Sequence, residues 1–156
     1  MTAAAPVTAY VALGANLGDA PAAVRQALRD LDVLPQTRLL RASPLYRSAP
    51  VESSGPDYIN AVAELQTALS AHALLDALQG LELRAGRERP WPNAPRTLDL
   101  DLLLYGDLHL DDPRLTLPHP RMRERAFVLR PLADIAPGRV DVRDLERVSG
   151  QVINRL

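Results

Sequence analysis

With 156 residues, 47% of them hydrophobic, the chain has the size of one globular domain with a single core, and its formal charge of −1 calls for neither a nucleic acid nor an anionic membrane as partner. The absence of cysteine excludes disulfides and thiolate metal sites, and the absence of lysine, with all 18 basic residues being arginine, excludes a P-loop or a protein-kinase phosphate site. The N-terminus lacks the charged start and apolar run of a secretory signal, and no stretch approaches the roughly 18 apolar residues of a membrane span, so a cytoplasmic protein is expected.

Residues 8–13 read as a buried strand closed by a turn over 14–18, where glycines and Asn16 can take positive φ. Asp19 caps a helix with Pro21 in its first turn and Val24, Ala27, Leu28 and Leu31 at helical spacing. Residues 37–47 look extended, 48–57 form a loop rich in proline, serine and glycine, and 58–65 alternate as a second long strand. Ser70 caps a second helix, striped by Leu74, Leu75, Leu78, Leu81 and Ala85, which Gly86 would end in the left-handed region, with Gln79 and Glu82 sharing its other face. A loop of arginines and prolines around Trp91 spans 87–97, and a strand runs from Leu98 to Tyr105. Short extended pieces near 108–110 and 114–117, a proline-flanked turn at His119 and a helix over 127–135 follow. The order β-α-β-β-α-β predicts an α+β, ferredoxin-like sandwich, a mainly antiparallel sheet with helices packed on one face. All of 1–156 is expected to form one domain, with 1–7 a loosely attached extension.

The residues that carry chemistry cluster in the second half. Period-two geometry puts Asp99 and Asp101 on one face of their strand, about 6.6 Å apart at Cα, and the leucines on the other. Hard oxygen ligands so spaced can hold magnesium, which takes one or two carboxylates and completes its shell with phosphate oxygens and water. A half-buried strand with a solvated polar face would alternate in the same way. The neighbouring arginines weigh against that reading: Arg87, Arg89 and Arg96 want an anion, the paired carboxylates want a cation, and a magnesium–triphosphate complex satisfies both. His119 stands between two prolines that fix its direction, with Arg121, Arg123 and Arg125 following; it is suited to a structural turn or to a phosphate. Tyr58 and Phe127 read as core residues or as ligand platforms.

The run Ala94-Pro95-Arg96-Thr97-Leu98-Asp99-Leu100-Asp101-Leu102-Leu103-Leu104-Tyr105-Gly106 resembles the signature of the 6-hydroxymethyl-7,8-dihydropterin pyrophosphokinase family. Four more segments resemble the family in the right order: Gly14-Ala15-Asn16-Leu17, Tyr46-Arg47-Ser48-Ala49-Pro50, Pro56-Asp57-Tyr58-Ile59-Asn60-Ala61, and Arg114-Leu115-Thr116-Leu117-Pro118-His119-Pro120. One departure is that Pro92 and Asn93 stand where the family often carries a basic and then an aromatic residue.

The resemblance implies transfer of pyrophosphate from ATP to the hydroxymethyl group of a reduced pterin, in folate synthesis. It implies two magnesium ions held by Asp99 and Asp101, with Arg87 and Arg96 sharing the catalytic role. ATP would contact Gln79, Glu82, Arg87, Arg96, Leu102, Arg114, Thr116, His119, Pro120 and Arg125. The pterin would contact Ser48, Ala49, Val51, Asn60 and, between two rings, Tyr58 and Phe127. The implied partners are small molecules only, with no nucleic acid or membrane, and the implied state is a monomer. Two other readings use the same features. A magnesium-dependent phosphohydrolase or nuclease could employ the two aspartates without any pterin. A ferredoxin-like RNA-binding module would need aromatic platforms and a basic surface, which a chain with one Phe and a charge of −1 does not offer.

Overall fold

The computed structural model describes residues 5–49, 56–86 and 98–156. Strand β1 (Val7–Ala15) is apolar at nearly every position because it lies in the middle of the sheet with both faces covered. It runs two residues further than the sequence predicts, so Gly14 is a strand residue, and of the expected turn glycines only Gly18 has positive φ, at 58°. Helix α1 (Ala20–Asp32) starts as expected: the Asp19 carboxylate accepts from Ala22 N–H at 3.1 Å, and Val24, Ala27 and Leu31 are buried.

The extended stretch predicted over 37–47 is two strands, β2 (Thr37–Ala42) and β3 (Tyr46–Ser48), laid end to end along β4 (Tyr58–Thr67). Pro44 has no N–H to offer a ladder, and Ser43 fills the break by donating its N–H to Val62 C=O and accepting from Val62 N–H on its Oγ, each at 2.9 Å. Helix α2 (Ala71–Ala85) is capped by Ser70, whose Oγ accepts from Ala73 N–H at 3.1 Å. It ends without the expected left-handed glycine: Gly86 sits at φ −112° and simply makes one more helical bond, to Glu82. Strand β5 (Asp99–Tyr105) closes the ferredoxin-like order β5-β1-β4-β2/β3, all antiparallel. Gly106, at φ 53°, turns the chain out of β5 where a Cβ would meet Val7 Cγ1 at 3.1 Å.

Helices α1 and α2 share one face of the sheet, over Val11, Leu13, Ala61, Leu65, Leu100 and Leu102. After the short ribbon β6 (Leu110–Asp111) and β7 (Thr116–Leu117), helix α3 (Ala126–Ile135) covers the other face, packing Val128, Leu132 and Ile135 on Tyr10, Ala12 and Val62. A register shift opposite Tyr10 and Val11 leaves Leu103 as an extra residue, so that Leu103 and Leu104 both serve this second core. Helix α4 (Val142–Arg147) and strand β8 (Ile153–Arg155), which the sequence reading did not anticipate, finish the chain; β8 pairs with β3. Among the described residues no helix is long and apolar enough to cross a membrane.

Candidate active site

The strand periodicity of β5 puts Leu100 and Leu102 into the core under α1 and α2 and leaves Asp99 and Asp101 half-buried on the opposite face. Pairing then builds a row across three strands. Asp99 lies opposite Gly14 of β1, Gly14 lies opposite Asn60 of β4, and Asp101 lies opposite Ala12. Because positions 12 and 14 carry almost no side chain, the sheet has a low floor there; a Cβ on Gly14 would stand 3.4 Å from Asn60 Oδ1 and 3.9 Å from Tyr58 Cδ1.

Over this floor lies a cavity of about 650 Å³. The sheet contributes Ser48, Tyr58, Asn60, Asp99 and Asp101, and the chain entering α3 contributes Arg121, Glu124, Arg125 and Phe127. Asn60 is buried and donates through Nδ2 to Ser48 Oγ at 2.6 Å, which fixes the amide and leaves its Oδ1 over Gly14. The Arg125 guanidinium lies 5.4 Å from the centroid of the Phe127 ring, a cation–π contact that braces both side chains at the cavity wall.

A second cavity, of about 260 Å³, opens along the outer edge of β5 and is lined by Leu102, Arg114, Thr116, His119 and Pro120. Asp101 lines both cavities. The turn that brings His119 here is tied to β5 by His119 N–H donating to Leu103 C=O at 2.9 Å, and the Leu117–Pro118 peptide is cis. Burial holds the His119 imidazole below its ordinary pKa; the Asp101 charge pulls it up, and Arg125 and Arg121 push it further down. His119 Nδ1 accepts from Arg121 N–H at 3.2 Å, so Nε2 carries the proton of the neutral ring and is a donor. Arg114 donates to Asp76 at 2.6 Å and to Gln79 Oε1 at 3.3 Å. Its loop is anchored by Asp112, which accepts from the N–H groups of Arg114 and Leu115 and pairs with His72 at 2.7 Å. The Arg114 N–H first, and His72 after it, hold the Asp112 carboxyl below the usual range.

The structure therefore groups most of the residues assigned from the sequence. Ser48, Ala49, Tyr58, Asn60 and Phe127, assigned together to the pterin, line the larger cavity. Leu102, Arg114, Thr116, His119 and Pro120, assigned together to ATP, line the smaller one, while Arg125 lies on the larger. Gln79 and Glu82 line neither. Gln79 reaches the smaller cavity only through Arg114, and Glu82 Oε2 accepts from Leu100 N–H at 2.8 Å, bonding the backbone between the two aspartates. Val51, Arg87 and Arg96, like Arg89 and Trp91, lie outside the described residues.

The sequence reading passed over Ala12, Gly14, Glu124 and Gln151, all on the larger cavity, and gave Arg121 no place in the assigned set. Gly14 had a signal, since a glycine inside a strand marks a close approach; Gln151 had none. Among the described residues no group of three or more His, Asp or Glu could hold a metal unaided. Two hard carboxylates on adjacent outward positions, facing a cavity edged with arginines, fit magnesium completed by phosphate oxygens rather than an all-protein cage.

The family model described as 7,8-dihydro-6-hydroxymethylpterin-pyrophosphokinase (HPPK) matches residues 10–137. The 2-amino-4-hydroxy-6-hydroxymethyldihydropteridine pyrophosphokinase of Pseudomonas aeruginosa is 52% identical over 129 residues, covering 82% of this chain and 80% of its own. Its namesake from Haemophilus influenzae is 42% identical over 151 residues, covering 96% and 91%. Among solved structures, an HPPK-DHPS of Plasmodium falciparum with pteroate superposes with a TM-score of 0.64 at 12% identity, over 86% of this chain and 40% of that longer one, a likeness of fold alone.

Proposed function

The chain belongs to the 7,8-dihydro-6-hydroxymethylpterin-pyrophosphokinase family, and from that premise we propose that its two cavities are the pterin and nucleotide halves of one active site joined at Asp101. The activity is transfer of pyrophosphate from ATP to the hydroxymethyl group of 6-hydroxymethyl-7,8-dihydropterin, a step of folate synthesis. The observation that carries the assignment is that Asp101 lines both cavities, so the acceptor hydroxyl and the phosphate chain meet at the carboxylate pair.

In this reading the pterin lies flat between Tyr58 and Phe127, and its edge is read by Asn60, whose orientation Ser48 holds. The triphosphate runs from the edge cavity, where Arg114 and the His119 Nε2–H meet it, towards Arg121 and Arg125. Arg87 and Arg96 would complete the phosphate contacts and Val51 the pterin pocket. The hydroxymethyl oxygen attacks the β-phosphorus and the α–β bridging oxygen leaves with AMP. The protein's part is to place the two reactants in line and balance charge at the entering and leaving oxygens. Asp99 and Asp101 would hold two magnesium ions, which when bound neutralise phosphate charge and orient the chain. A carboxylate so engaged is a weak base, which leaves Asp101 a charge-bearing rather than proton-abstracting role. By its resemblance to the family the reading extends to a monomeric, single-domain, cytoplasmic enzyme.

The test is to incubate the protein with ATP, magnesium and 6-hydroxymethyl-7,8-dihydropterin and separate the nucleotides by ion exchange. Pterin-dependent AMP that disappears with a chelator supports the reading. ADP and free phosphate without any need for pterin would replace it with a phosphohydrolase.

A further inference from the structure

Residues 138–156 lie beyond the stretch that the family model matches, yet they reach the larger cavity. Leu145, Val148 and Ile153 pack with Ala126 and Leu129 in a small core beside α3. The buried Asp144 carboxylate, paired with Arg147 and with Arg123 at 3.8 Å, ties α4 to the turn before α3. The chain then bends, Gln151 N–H donating to Val148 C=O at 3.0 Å, and the Gln151 side chain enters the cavity wall.

There a single amide makes two bonds of opposite sense. Gln151 Oε1 accepts from Ala126 N–H at 2.9 Å, and Nε2 donates to Glu124 C=O at 2.8 Å. Ala126 is only 3% exposed and begins α3, whose N-cap residue, Arg125, makes no side-chain cap bond, so without Gln151 this donor would be buried and unmet. The two bonds fall on either side of Arg125 and so hold its backbone, and with it the direction in which Arg125 and Phe127 enter the cavity. Beyond Gln151 the chain crosses to the other wall. Residues Ile153–Arg155 pair with Tyr46–Ser48, and Leu156 N–H donates to Leu45 C=O at 2.9 Å. Ser48, at the end of that pairing, faces the same cavity.

We propose that the C-terminal segment 151–156 is a strap that sets the width of the pterin cavity, with Gln151 as the positioning residue that aims Phe127 at the ring. The proposal rests on the assignment of this cavity to the pterin. Spacing matters there because a flat ring held between two side chains loses a quarter to a half of its contact energy when a gap of roughly 0.5–1 Å opens on one face.

The experiment measures two dissociation constants, for 6-hydroxymethyl-7,8-dihydropterin by fluorescence and for a non-hydrolysable ATP analogue by calorimetry. It uses the wild type, Gln151→Met, which keeps the bulk and loses both bonds, and Gln151→Glu, which keeps the acceptor for Ala126 N–H. The expected result is pterin binding weakened about tenfold in Gln151→Met, the loss of up to half of a stacking contact, and by less in Gln151→Glu, with analogue binding weakened by less than pterin binding in each variant, since Arg125 meets the phosphate chain and Phe127 the ring. Unchanged pterin binding in a folded Gln151→Met, or equal weakening of both ligands, overturns the strap. Should Gln151→Met fail to fold, Gln151→Glu decides alone: selective pterin loss supports the proposal, and unfolding or parallel loss overturns it. A wild type that binds no pterin refutes the site assignment itself, a separate outcome from a wild type that binds while its variants match it.

Discussion

The two sides of the larger cavity are built by different means. The floor is sheet: Ala12, Gly14, Asn60, Asp99 and Asp101 sit on strands whose registers are locked by continuous antiparallel pairing, so each side chain's direction follows from its parity. The wall is the turn and helix start from Arg121 to Phe127, whose directions depend on a few side-chain bonds from distant residues, Gln151 above all. A ladder holds functional groups rigidly at no cost in extra side chains, and this suits the charged pair, where small displacements matter most. A wall hung on side-chain bonds can be tuned residue by residue, which suits recognition of a substrate's shape.

Four changes would break or sharpen this contrast. The largest effect is expected from Asp101→Ala, which should lower turnover at least 10²–10³-fold, the scale of losing one charge-stabilising group, while the melting temperature stays within a few degrees. AMP formation and a thermal melt check this, and near-normal turnover would remove the floor from the chemistry. Gly14→Val should come next. The strand backbone tolerates it, but the new side chain rises into the space bounded by Asn60 and Tyr58, so pterin affinity should fall about 100-fold or more, with ATP-analogue binding retained, in a titration of each ligand. On the wall, Phe127→Ala should weaken pterin by roughly 1–3 kcal/mol, the value of one aromatic stacking surface; a loss confined to the nucleotide would reverse the assignment of the two cavities.

The smallest effect concerns the loop that carries Arg114. The Asp112 carboxyl is held below its ordinary pKa, chiefly by the Arg114 N–H. Its stabilisation is therefore complete above the unfolded carboxyl value, near pH 4, and is lost as pH falls through the lower folded value. Urea melts of wild type and Asp112→Asn should differ at pH 6 and converge as the pH is lowered below about 4; a gap that widens on acidification would contradict the cause given for the shift.

Much of the floor was legible in the sequence. Alternation across Asp99-Leu100-Asp101-Leu102 set the faces of β5, and the caps Asp19 and Ser70 placed both helices of the ferredoxin-like unit. What escaped was non-local. Gly14 reads equally as a turn residue, and only its pairing with both Asn60 and Asp99 shows that a strand glycine lowers the cavity floor. Glu82 and Gln79 look alike on one helix face, but one meets the backbone of β5 and the other Arg114.

The sequence by itself determined the class of fold, the carboxylate pair and the family, because these rest on local period, caps and contiguous motifs, whose physics acts over a few residues. Only the tertiary structure decided that Asp101 stands between two cavities and that Gln151 caps a helix beginning at Ala126. Such contacts join residues far apart in the chain, and nothing in the local pattern around Gln151 records which buried N–H it will satisfy.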